Sequence, residues 1–150
     1  MKSPKDMHWT ESDLPLDRLL TEGQASGCIV LLSSSELPPL GWAGMMDWRT
    51  RGAISHALRA GIFTGESGEC SYLPWSIHDR TLHILLVGVG KCAPSGLRGA
   101  LPATALSALE KNLKKLSGIQ WVVSRSEFPE KTWSPLSSAI PEGGALWITA

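Results

Sequence analysis

The run "TLHILLVGVGK", residues 81–91, constrains the fold most. Ile84, Leu85, Leu86 and Val87 are consecutive and apolar, so a strand here has no polar face to turn toward water and must be covered on both sides. Gly88 and Gly90 then let the chain leave that strand sharply. A strand covered on both faces requires a layer above and a layer below, which places the chain among α/β domains before any other segment is read.

The remaining segments fall into the same scheme. "GCIVLLSSS" (27–35) reads as a second buried strand, and "CSYLPW" (70–75), "IQWVVSR" (119–125) and "ALWITA" (145–150) as three more. Between them, Ala53, Ile54, Ala57, Leu58 and Ile62 form a helical stripe that Gly61 ends. Leu106, Leu109, Leu113 and Leu116 mark a helix over about 100–116, with Glu110 four residues before Lys114. Pro102 fits only near its start, so Gly96 and Gly99 belong to a loop. "DLPLDRLLTEG" (13–23) has a helix start at Asp13 and a stop at Gly23. "LPPLGWAGMMDWRT" (37–50) reads as turn-rich, and "FPEKTWSPLSSAIPEGG" (128–144) as a loop-rich connection. Strand and helix alternate, which implies a three-layer α/β domain with a mixed, largely parallel central sheet flanked by helices. Residues 1–150 form one such domain, with residues 1–12 expected to be flexible.

Composition sets limits on partners. The 150 residues are 43% hydrophobic and 19% charged, with 14 basic against 14 acidic side chains, enough apolar material for a core and no charge excess to draw in nucleic acid or an anionic membrane. No apolar stretch approaches a membrane span, and "MKSPKDMHWTESD" is too polar for a signal peptide. The cytoplasm is the expected compartment. Cys28, Cys70 and Cys92 are odd in number and widely spaced, and His8, His56, His78 and His83 include no H-E-x-x-H and no i,i+4 pair. Neither a disulfide framework nor a metal centre is expected.

Two glycine-rich stretches invite a ligand. Gly88, Gly90 and Ala93 formally match G-x-G-x-x-A after a strand, but Lys91 and Pro94 stand where a helix should open and no acid follows "IQWVVSR" to hold a ribose. "VGVGKC" lacks the earlier glycine and the Ser/Thr of a P-loop. "TGESGE" departs from a nucleophile elbow, because Gly68 follows Ser67 at once. The glycines are read first as backbone devices, with Gly65, Gly68, Gly88 and Gly90 retained as candidates for ligand loops.

The order "RGAISHALRAGIFTGESGECSYLP", then "LHILLVGVGK", then an Ala- and Leu-rich helix resembles the N-terminal domain of the cytosolic leucyl aminopeptidases, the M17 metallopeptidases. Its motif residues have counterparts in Gly61, Phe63, Gly65, Gly68 and Glu69, and then in Leu85, Leu86, Val87, Gly88, Gly90 and Lys91. The likeness is concentrated in residues 44–123. It implies a macro-domain-like fold and an accessory role, since in that family the two-metal chemistry belongs to a separate C-terminal domain. Nothing in residues 124–150 resembles the family's N-T-D-A-E-G-R segment, so no catalytic residue, metal ligand or cofactor is assigned. Phe63 is expected in the core and Glu69 to cap or pair locally.

Two functions follow from this reading. The first is a non-catalytic assembly or interaction domain with a protein partner or a second copy. The alternative is a binder of a nucleotide or ADP-ribose-type ligand through the glycine loops. Nucleic acid ranks below both, since Lys111, Lys114 and Lys115 form only a short basic patch on a solvated helix face. The chain has seven tryptophans, and Trp42 and Trp48, flanking "AGMM", are the expected contact surface.

Overall fold

A computed structural model describes residues 9–12, 27–39, 41–77, 80–91, 101–141 and 143–149. The helix expected over 13–23 and the "APSGLRG" loop lie outside the described residues, as do His8, His78 and Cys92. The elements are strands β1 (Trp9–Ser12), β2 (Gly27–Ser33), β3 (Cys70–Ile77), β4 (Arg80–Gly88), β5 (Gln120–Ser124) and β6 (Ala145–Thr149), and helices α1 (Gly41–Arg49), α2 (Ala53–Arg59), α3 (Ala103–Lys115) and α4 (Glu130–Ala139). Among the described residues, one sheet holds these six strands in the order β1-β6-β5-β2-β4-β3. Every pairing is parallel except β3 with β4. Trp9–Ser12, at the end of the stretch expected to be flexible, is an edge strand beside β6.

The period of two within β2 sorts its side chains between two cores. Cys28, Val30 and Leu32 point to one face with Leu85, Val87, Trp121, Val123, Leu146 and Ile148, where α3 and α4 cover them. Ile29 and Leu31 point to the other with Ile84, Leu86 and Val122, under α1, α2 and Phe63. The apolar run of β4 is thus shared between both faces, as a strand covered on both sides requires. No helix among the described residues is long and apolar enough to cross a membrane.

Two segments correct the sequence reading. Residues 41–49, expected as turns, are α1, and residues 130–139, expected as loop, are α4. In α4, Thr132, Trp133, Leu136 and Ala139 are buried, an i, i+1, i+4, i+7 stripe that Pro135 obscured. The Trp133 indole N–H donates to the Phe128 carbonyl at 3.1 Å and fastens the helix to its lead-in turn. In α1, Trp42, Ala43 and Met46 are buried, and Thr50 ends the helix by donating its hydroxyl to the Met46 carbonyl at 2.9 Å. Helix α3 starts as the proline required, with Pro102 as its N-cap. Leu109 and Leu113 are buried and Leu106 is half-buried, whereas Leu116 lies past the helix end and is exposed.

Candidate functional site

Ligands in open α/β sheets bind beyond the carboxyl ends of the strands where the chain changes direction across the sheet. Here that point is the end of β2, which pairs with β4 on one side and β5 on the other. Three loops meet there: residues 34–39 after β2, residues 89–91 after β4, and residues 125–129 after β5. The glycine stretch between α2 and β3 joins them.

The glycine loops lock to each other through their backbones. The Gly68 N–H donates to the Gly88 carbonyl at 3.1 Å, Gly88 to Glu69 at 2.7 Å, Gly90 to Gly65 at 2.9 Å, and Ser35 to Gly90 at 2.8 Å. Gly65 adopts φ +78°, and a Cβ there would stand 2.4 Å from the Ser34 carbonyl oxygen. A Cβ on Gly88 would stand 2.0 Å from the Glu66 carbonyl oxygen. These two glycines therefore permit backbone to lie on backbone, a spacing no side chain tolerates. Gly68 and Gly90 also have positive φ, with Thr104 and Ser67 as their neighbours. Ser67 and Thr104 share a hydroxyl hydrogen bond of 2.5 Å, tying the loop to the first turn of α3. Phe63 is fully buried. The Glu69 carboxylate accepts the Thr64 N–H at 3.1 Å and the Thr64 hydroxyl, bracing the turn from within.

The neighbouring gap, between α1 and the β5–α4 loop, is closed by a carboxyl group. Glu127 is only 8% exposed, and its Oε2 accepts the Trp42 N–H at 3.0 Å. A carboxylate at the start of a helix meets unpaired N–H groups and the positive end of the helix dipole. Gly41 makes the approach feasible, because a Cβ there would stand 2.0 Å from Oε2. The Glu127 Oε1 is buried with no hydrogen-bond partner. Burial pushes this carboxyl up to about 7, with the Trp42 N–H working in the opposite direction. Nothing local in the sequence marked Glu127, since its partner lies 85 residues away.

The expected contact surface divides. Trp42 is 7% exposed and anchors α1 to the sheet, whereas Trp48 is 85% exposed and Met45 37% exposed on the same helix. Behind them the Asp47 carboxylate accepts the Ser55 N–H at 2.8 Å, fixing the elbow between α1 and α2. Arg51, in the elbow itself, takes φ +57°.

Among the described residues, no group of three or more His, Cys, Asp or Glu side chains is placed to hold a metal ion. Cys28 is buried and Cys70 half-buried, both as free thiols, and burial is the first cause raising each above the ordinary thiol range.

No protein-family model matches the chain, and no curated protein matches its sequence. Solved structures do. The macrodomain of Mycobacterium tuberculosis DarG is similar over 93% of this chain and 97% of its own length, at 14% identity and a TM-score of 0.59. A K354E mutant of tomato leucine aminopeptidase is similar over 93% of this chain, again at 14% identity and a TM-score of 0.59, but over only 32% of the enzyme. The chain therefore has the macro-domain-like α/β fold, resembles the N-terminal region of that aminopeptidase, and spans about a third of the enzyme's length.

Proposed function

We propose that this chain is a non-catalytic assembly domain that joins to a second copy of itself through the outer face of α1. The carrying observation is Trp48, 85% exposed on a helix whose opposite side is fixed to the core by Trp42 and Met46. A large ring held in water on a fixed helix is the kind of anchor that interfaces bury, and Met45 beside it supplies adaptable apolar surface. The balance of 14 basic and 14 acidic residues removes long-range repulsion between copies. The free thiols Cys28 and Cys70 fit a cytoplasmic setting.

Sedimentation velocity across the micromolar range tests this reading. Wild type is expected to self-associate and Trp48→Ala to remain monomeric with an unchanged fold. A wild type that sediments as a monomer throughout, indistinguishable from Trp48→Ala, removes the proposal.

The second reading, a nucleotide or ADP-ribose-type ligand at the loops carrying Gly65, Gly68, Gly88 and Gly90, is favoured by the likeness to a macrodomain. It is the weaker reading because the Gly68 and Gly90 N–H groups that a phosphate would need already donate to the Gly88 and Gly65 carbonyls. Calorimetry with ADP-ribose separates the two: no heat is expected, and saturable binding at micromolar concentration would favour the ligand.

A further inference from the structure

Among the described residues, Glu127 is a buried acid whose position the fold and the assembly reading leave unexplained. It reaches from the β5–α4 loop to the first turn of α1, accepts one N–H through Oε2, and leaves Oε1 buried without a donor. A carboxyl used only to cap a helix does best half in water, where the second oxygen is hydrated. Here the cap is sealed, and Gly41 has no side chain to hold the acid off.

We propose that Glu127 is a proton-operated latch on α1: the neutral carboxyl seats the start of the helix in the closed edge, and loss of its proton favours an open state in which the carboxylate is hydrated. The helix so released is the one that carries Trp48, and only this link to association rests on the assembly reading. The direction follows from burial. Closed, the carboxyl holds its proton up to about 7, well above its ordinary value of 4.5. The closed state therefore binds the proton more tightly, and closure weakens as pH rises from about 4.5 to about 7, by on the order of 300-fold at most. Charged groups on the adjoining elements are Arg125, Glu130 and Lys131 on Glu127's own segment, Glu36 in the loop before α1, and Asp47 and Arg49 on α1. Asp47 is committed to Ser55, and burial, opposed by the Trp42 amide, governs the Glu127 shift.

Amide hydrogen exchange over the first turn of α1 tests the latch, compared between pH 5.5 and pH 8 after division by the intrinsic exchange rate. Protection at Trp42 and Ala43 is expected to fall by about 30-fold in the otherwise intact protein, and to stay level in Glu127→Gln. Equal pH profiles in both proteins would overturn the latch. If Glu127→Gln fails to fold, carbon-13 NMR of the Glu127 carboxyl in the unsubstituted protein decides. Titration near 7 supports the latch, and titration near 4.5 overturns it. Both measurements are repeated in the Trp48→Ala background. There a pH-dependent latch in a protein that does not associate shows that the latch stands apart from assembly, and the assembly reading falls only if the wild type also fails to associate.

Discussion

Two gaps at the same edge of the sheet are closed by opposite means. Between β2, β4 and the glycine stretch, backbone lies on backbone, with Gly65 against Ser34 and Gly88 against Glu66. Between α1 and the β5–α4 loop, a buried carboxyl fills the space against Gly41 and Trp42. The first closure is made by neutral backbone groups, and any added atom breaks it. The second tolerates a neutral isostere but responds to protons. A glycine can thus serve closure in two ways, by removing its own side chain for a neighbouring carbonyl or by removing it for a distant acid.

The largest effect should come from breaking the neutral closure. Gly65→Ala combines a positive φ with overlap on Ser34, and is expected to cost roughly 3 kcal/mol or more. Gly88→Ala lacks the φ strain and should cost about 2 kcal/mol through overlap with Glu66 and Gly65 alone. Urea denaturation at pH 7 measures both. A variant within about 0.5 kcal/mol of wild type at either position would show that these loops are not packed as described.

The carboxyl closure should respond to pH. The carboxyl's folded value of about 7 lies above its ordinary 4.5, so folding takes up a proton between them. Stability from this group is full below about 4.5 and is lost as pH rises to about 7, by no more than about 3 kcal/mol. Glu127→Gln should therefore gain on wild type as pH is raised from 5 to 8. A stability difference between the two that is constant over that range would contradict the burial of this acid.

The contrast also marks what could be read from sequence. β4, β2 and α3 were legible because their signals are local: the consecutive apolar run, the strand before "SSS", the leucines behind Pro102. α1 and α4 were not. Gly41, Gly44 and the prolines before α1 argue against a helix by propensity, yet the helix forms because Trp42, Ala43 and Met46 bury against the sheet and Glu127 caps it from 85 residues away. Gly44 is small for the same kind of reason, since a Cβ there would stand 2.5 Å from the Pro39 carbonyl oxygen. In α4 the buried stripe was present in the sequence, but Pro135 outweighed it. At the edge of the sheet, Gly65 and Gly88 were legible as residues under constraint. The carbonyls that constrain them come from other segments and appear only in the fold.

Gly61 provides a control for the first closure. It has φ +73° with open space where a Cβ would stand, so Gly61→Ala should show backbone strain alone, about 1 kcal/mol. A cost equal to that of Gly65→Ala would mean that φ, and not the Ser34 carbonyl, governs the neutral closure.

The smallest effect on stability and the largest on assembly belong to Trp48. Trp48→Ala should leave the folding free energy within about 0.5 kcal/mol. The direct measurement is fluorine NMR of the protein carrying 5-fluorotryptophan, with Trp48 identified by Trp48→Phe. A closed edge with assembly on α1 predicts that the Trp48 resonance moves and broadens as protein concentration rises, that Trp42 and Trp121 stay fixed, and that ADP-ribose moves none of them. A Trp48 resonance independent of concentration, with a Trp42 resonance that shifts saturably on adding ADP-ribose, would contradict it and place the function at the edge of the sheet.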